Sequence, residues 1–259
     1  MTEFFPITLS WQDEILTLHS SQLPGPVDFE YIEAYCRPGS TNRDWWETVI
    51  PHTTKLISNS HDGSQLELLS TLADGVTVRH DIVAVPGEVT FKLTAHNPTA
   101  MSSEVHWGQP CLRVGPFTGH SQGTNIEDYL EKCFVFINGQ LERLPLKSWA
   151  TEALLTPGQV WRHPEVSEMD INPRPLSSLL PSNGLIGCFS ADESMLLAIS
   201  WKPYQELFQG IFRCIHADFR IGGLEPGETK TAYGKLYWMQ NNLDMLLSRY
   251  KADFESQNS

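Results

Sequence analysis

Positive charge is scarce in this sequence. Among 259 residues, 18 Lys and Arg stand against 31 Asp and Glu, a formal net charge of −13. Neutralising phosphates needs clustered cations, so nucleic acid and anionic membrane surfaces are not expected partners. Charged residues amount to 19% against 41% hydrophobic and 10% aromatic, which excludes intrinsic disorder and supplies a packed core. No window approaches the length of a membrane span. The start, Met1 to Pro6, has no cationic stretch, and Gln12, Asp13 and Glu14 cut the apolar run that follows, so no signal peptide is visible. The five cysteines (Cys36, Cys111, Cys133, Cys188, Cys214) stand far apart with no C-x-x-C pair, the pattern of reduced thiols in a cytoplasmic protein. Walker, G-x-G-x-x-G and G-x-S-x-G motifs are all missing, so nucleotide hydrolysis and serine-nucleophile chemistry are not expected.

What is present is short apolar alternation broken by turn residues, with 17 Pro and 18 Gly spread along the chain. Strands are predicted at Ile15 to Leu18, Phe29 to Tyr35, Thr48 to Ile57 and Leu66 to Leu72. Val76 to Val83, Val89 to His96 and Glu104 to Val114, joined by Pro86-Gly87-Glu88 and Asn97-Pro98-Thr99, read as three consecutive antiparallel strands. Pro116 to Asn125 reads as a long loop and Ile126 to Lys132 as a helical turn. Asn138-Gly139 marks a two-residue hairpin between Phe134 to Ile137 and Leu141 to Leu144. Four prolines between Trp161 and Pro181 indicate a second long loop. Strands resume at Leu185 to Phe189, Met195 to Trp201, Ile211 to Phe219 and Thr229 to Met239. Leu243, Leu246, Leu247 and Tyr250 then lie at helical spacing behind an Asn241-Asn242 cap. These elements predict an all-β chain, a large two-sheet antiparallel β-sandwich with one C-terminal helix, as one domain over residues 1–259.

Three segments carry a family resemblance. Asp74-Gly75-Val76-Thr77-Val78, Thr94-Ala95-His96-Asn97-Pro98-Thr99 and Leu224-Glu225-Pro226-Gly227-Glu228-Thr229 resemble the turns of the galactose mutarotase-like supersandwich. The resemblance covers residues 60 to 240 and implies carbohydrate chemistry, because the superfamily includes aldose 1-epimerases, sugar-phosphate epimerases, polysaccharide lyases and accessory domains of glycoside hydrolases. Fold does not fix function. The chain also departs from the epimerases: where they present Asn-His and an aromatic, it has His106-Trp107-Gly108-Gln109-Pro110-Cys111. Neither the catalytic His nor the catalytic Glu of the epimerases therefore transfers.

Four clusters combine polar and aromatic residues at strand ends or in loops, where a sandwich builds sites. In the first, Arg37, Arg43 and Asp44 precede Trp45 and Trp46, with His52 following; aromatic rings stack on sugar C–H surfaces while charged groups bind hydroxyls or a carboxylate. The alternative is one Trp in the core and one half-exposed. The second is His106, Trp107, Gln109 and Arg113; alternation puts Trp107, Gln109, Cys111 and Arg113 on one strand face, unless Gly108 and Pro110 form a bulge that resets the pattern. The third is Cys214, His216 and Asp218 at alternate positions, where Asp218 would orient His216 as acid or base; a histidine merely satisfied near a sheet edge is the competing reading. The fourth is Trp161, Arg162 and His163 in the proline-rich loop, either a lid over a ligand or a solvated loop. Trp201 offers one more stacking platform, or a core residue.

The expectation is a carbohydrate-active enzyme that binds a sugar, uronic acid or oligosaccharide on the concave sheet face. His-based acid/base chemistry would carry epimerase- or mutarotase-like isomerisation or lyase-type elimination. The catalytic candidates are His106, His216, His52, His163 and Asp218, and Arg37, Arg43, Asp44, Trp45, Trp46, Trp107, Gln109, Arg113 and Trp201 would bind substrate. The alternatives are a non-catalytic carbohydrate-binding sandwich and a glycoside hydrolase using paired carboxylates among Asp44, Asp170 and Asp218. No cofactor is expected. Without H-x-H, H-E-x-x-H or C-x-x-C spacing, a metal site would have to be assembled from distant strands.

Overall fold

The computed structural model describes residues 5–23, 25–39, 42–120, 128–146, 159–171 and 175–255. Two antiparallel sheets contain nearly all the regular structure. One sheet, here sheet A, holds β1 (Thr8–Gln12), β2 (Ile15–His19), β3 (Val27–Cys36), β4 (Val49–Ile50), β9 (Trp107–Arg113), β12 (Trp161–Arg162), β15 (Tyr204–Gly210) and β16 (Cys214–Arg220). Sheet B holds β5 (His52–Asn59), β6 (Gln65–Leu72), β7 (Thr77–Val85), β8 (Glu88–His96), β10 (Cys133–Ile137), β11 (Gln140–Arg143), β13 (Pro181–Phe189), β14 (Met195–Lys202) and β17 (Thr229–Gln240). Their spatial orders are β1-β2-β3-β9-β16-β15-β12, with β4 also on β3, and β11-β10-β13-β14-β17-β8-β7-β6-β5.

The sheets pack face to face through aromatic residues. Phe29 and Tyr31 of β3 meet Phe91 of β8 at 5.9 and 5.5 Å between ring centroids, and Phe219 of β16 meets Trp201 of β14 at 5.1 Å. Full burial of each such ring contributes about 2–3 kcal/mol before entropy is counted. Gly108 of β9 makes this approach possible, because a Cβ there would lie 2.2 Å from the Phe219 ring.

Between the sheets sits a buried polar knot. The two ring nitrogens of His80 contact the hydroxyls of Tyr31 (3.0 Å) and Tyr35 (2.9 Å). Burial pushes the His80 imidazole down to about 3, with His52 adding to the effect.

After the short helices α1 (Trp45–Thr48) and α2 (Gly115–Thr118), the terminal helix α3 (Leu243–Tyr250) begins where Asn242 Oδ1 accepts from the Met245 amide at 3.0 Å, and continues as a π-helical turn, Lys251–Glu255. Leu246 and Phe254 cover an apolar patch on the outer face of sheet B. Asn138 and Gly139, at φ 51° and 75°, supply the positive angles of the hairpin between β10 and β11.

The predicted three-strand meander is corrected. β7 and β8 pair, but the other edge of β8 takes β17, and the chain crosses to place β9 in sheet A between β3 and β16. The predicted strand Thr48 to Ile57 divides between the sheets at Pro51, and β1 and β15 are additional strands. β15 escapes detection because every residue in it is buried, so it shows no alternation. Ile126, residues 121–125 of the first predicted loop and 172–174 of the second lie outside the described residues. None of the described helices is long and apolar enough to cross a membrane.

The three resembling turns meet at one end of the sandwich. Asn97 donates its side-chain amide to the carbonyls of Met101 (2.8 Å) and Leu224 (3.1 Å), and Ser103 donates its hydroxyl to Asp74 at 2.6 Å.

Candidate functional site

Alternation along β16 sends Ile215, Ala217 and Phe219 into the inter-sheet core and Cys214, His216 and Asp218 to the opposite, outer face of sheet A. All three outward residues are buried. The Cys214 sulfur lies 3.3 Å from Nε2 of His216, and Nδ1 of His216 lies 3.7 Å from Oδ1 of Asp218. The His216 ring also stacks on Phe208 of β15, with centroids 4.2 Å apart and planes 8° from parallel. Thiol, imidazole and carboxyl therefore form a line whose central ring is fixed by stacking.

The neighbouring strands complete this face. The antiparallel pairing of β9 with β16 sets Cys214 opposite Arg113 and Ile215 opposite Leu112; carried through, the register brings Cys111 level with His216 and Gln109 level with Asp218. From β3 come Glu30, ion-paired with Arg113, and Glu33, which accepts from the Gln109 amide at 3.4 Å. A register shift between Glu30 and Ala34 turns both carboxyls outward. Glu30, Glu33 and Arg113 are the half-buried members of the group.

Acidic groups outnumber basic ones here, and burial decides how they respond. Burial raises Glu33, and His216 offsets this only in part. Burial carries Asp218 up to about 7 against the pull of His216. Burial alone would lower His216, but the Cys214 sulfur and Asp218 carboxyl override it and hold the imidazole well above its ordinary value. Burial raises Cys36 on β3, and the Asp218, Glu206 and Glu33 carboxylates raise it further. Both Asp218 oxygens, Gln109 Oε1 and both polar atoms of the Gln209 side chain are buried without a hydrogen-bond partner among the described residues. Such orphans are costly in a folded core and concentrate at functional sites.

A second polar group adjoins the first across Arg220, two residues beyond Asp218. Arg220 bonds Gln205 and lies 4.0 Å from Asp170, and its charge lowers His106 and His163 after burial has done so. His163 sits edge-on to Tyr204 at 4.6 Å.

The other sequence candidates are spread more widely. His52 donates from Nε2 to the Ile32 carbonyl at 3.2 Å and meets Tyr35 edge-on at 4.9 Å, toward the inter-sheet side. Trp201 is buried in the core against Phe91 and Phe219. Trp107 is buried with Ala34 and Cys36, and Trp45 packs on that patch. Arg37 donates to the Val49 carbonyl at 2.9 Å and lies with Arg43 near Glu104, at 3.9 and 3.8 Å. Asp44 starts the short helix α1 (Trp45–Thr48), its carbonyl accepting from the Glu47 and Thr48 amides. Trp46, on α1, is 86% exposed.

The structure brings together His216, Asp218, Gln109 and Arg113 and groups His106 with His163 beside Arg220. His52 and Trp201 lie apart from both groups. Sequence reasoning missed Glu30, Glu33, Cys111 and Glu206. Alternation could have turned Glu30 outward, but not Glu33, which depends on the β3 irregularity.

No family model matches this chain, and no curated protein matches it. Among solved structures, it is similar to a putative aldose 1-epimerase from Escherichia coli K12, with 13% identity, a TM-score of 0.47, and 91% of this chain and 99% of that one covered. It is similar to a galactose mutarotase-like protein from Lactobacillus casei ATCC 334, with 9% identity, a TM-score of 0.46, and 90% and 99% covered. It also has a likeness to a polysaccharide lyase, with 9% identity, a TM-score of 0.41, and 94% and 34% covered.

Proposed function

We propose that this protein is a carbohydrate-active enzyme whose substrate lies on the outer face of sheet A. The observation that carries this reading is the buried Cys214, His216, Asp218 line with Glu33 across from it, on a face opening toward solvent at Glu30 and Arg113. Acid/base work on a sugar needs two proton-carrying groups on different sides of the reacting centre. His216 donates to the ring oxygen while the Glu33 carboxylate accepts the hydroxyl proton at the anomeric carbon. The ring bond breaks as the carbonyl forms, and reclosure on the other face reverses both transfers. Asp218 holds the imidazole orientation, and Arg113, shared with Glu30, attracts the carboxylate of a uronic acid.

The test is anomer exchange measured by NMR on a panel of free aldoses and uronates. His216→Ala and Asp218→Asn are expected to lower exchange about 100-fold or more, in the range for loss of a general acid. Folded variants with full turnover reject the assignment.

The exposure of Trp46, three residues along the chain from Arg43, favours a second reading, a non-catalytic glycan-binding surface. That reading requires glycan affinity lost in Trp46→Ala and kept in His216→Ala.

A further inference from the structure

Cys111, Cys214 and His216 bring three soft donor atoms to one point. Their sulfur and nitrogen atoms all lie within 4.8 Å of one another, and all three residues are buried. A tetrahedral zinc ion with Zn–S of about 2.3 Å and Zn–N of about 2.0 Å separates its ligand atoms by roughly 3.5–3.8 Å. The 3.3 Å between Cys214 Sγ and His216 Nε2 already approaches such an edge. We propose that Cys111, Cys214 and His216 are three ligands of a site for a thiophilic divalent cation of the zinc type.

The surroundings fit that ion and no hard one. Two thiolates cancel the charge of a divalent cation, so the occupied cluster is neutral and compatible with burial. Thiolate and imidazole donors select zinc-type ions over magnesium or calcium. Asp218 stands 3.7 Å behind Nδ1 of His216, the place from which a carboxylate fixes a ligating imidazole so that Nε2 presents its lone pair. Stacking on Phe208 fixes the same ring from its face. The charged groups facing the cluster are Glu30 and Glu33 of β3, Arg113 of β9 and Asp218 of β16, with Glu30 occupied by Arg113. Three protein ligands leave a fourth position for water or substrate, as at catalytic rather than structural zinc. Binding displaces two protons, one from Cys111 and one shared by Cys214 and His216.

Metal binding stands on this geometry alone; its consequence for activity rests on the carbohydrate reading. With Nε2 on the metal, His216 no longer carries the proton assigned to it above. The ion therefore switches off metal-free acid/base exchange.

Cobalt(II) is the probe, added to the reduced protein without oxygen and also supplied during expression, so that a buried site is loaded by either route. The expected result is one cobalt per chain, with intense visible d–d bands of a tetrahedral site and thiolate-to-cobalt charge transfer in the near ultraviolet. Cys111→Ser and Cys214→Ser, checked for folding by circular dichroism, lose the charge-transfer bands. Cys188→Ala, in sheet B, keeps them. Absence of the bands by both routes, or their survival in Cys111→Ser and Cys214→Ser, overturns the proposal. Binding without any change in anomer exchange leaves the metal site standing and rejects the proton role of His216.

Discussion

The side-chain amide of Asn97 donates to the backbone carbonyl of Leu224 at 3.1 Å, tying together two turns that are 127 residues apart in the chain. The same side chain accepts from the Thr99 amide and hydroxyl, at 3.0 and 2.8 Å. Here the chain leaves sheet B, and β9 begins its course into sheet A. Asn97→Ala leaves several of these groups without a partner, and each buried orphan costs about 1–3 kcal/mol. A loss of about 2–4 kcal/mol in urea unfolding is expected, and a change below the error of the measurement rejects the tie.

Acid is expected to destabilise the protein through His80. Its folded-state value is pushed down to about 3 by burial, with His52 contributing, while the unfolded chain takes up a proton near the ordinary value of 6.5. The unfolded state thus binds more protons between those limits, and stability falls as pH drops through that window. The slope approaches about 1.4 kcal/mol per pH unit for this one group. Urea midpoints between pH 7 and 4 should show a shallower decline in His80→Phe than in the wild type; equal slopes reject the assignment.

Gly108 admits no side chain. A Cβ there would stand 2.2 Å from the Phe219 ring, so Gly108→Ala displaces β16 and is expected to cost about 1–3 kcal/mol by overpacking. Phe219→Leu in the same chain recovers part of the loss, measured as a coupling energy in a double-mutant cycle. Simple additivity of the two substitutions contradicts the contact.

Asp218 is expected to support the charged form of His216. Burial lifts its carboxyl to about 7, and its charge helps hold the His216 imidazole well above the ordinary value. Asp218→Asn keeps the shape and removes that charge, so the pH at which His216 titrates, followed by NMR, is expected to fall. An unchanged His216 titration rejects the coupling.

Much of the architecture was legible. Alternation identified β6, β7, β8 and β17, Asn138-Gly139 marked a hairpin, and Asn242 marked the cap of α3. Period-two patterning also set Trp107, Gln109, Cys111 and Arg113 on one face, and Cys214, His216 and Asp218 on one face. It says nothing about which strand lies beside which. The sequence by itself determined an all-β chain, most of its turns and the facing of side chains in the regular alternating strands, because those follow from local backbone geometry. Only the tertiary structure decided that β9 leaves β8 to lie between β3 and β16, which brings Cys111 level with His216 and Glu33 against Gln109. Those contacts arise from long-range strand pairing, which no local spacing encodes.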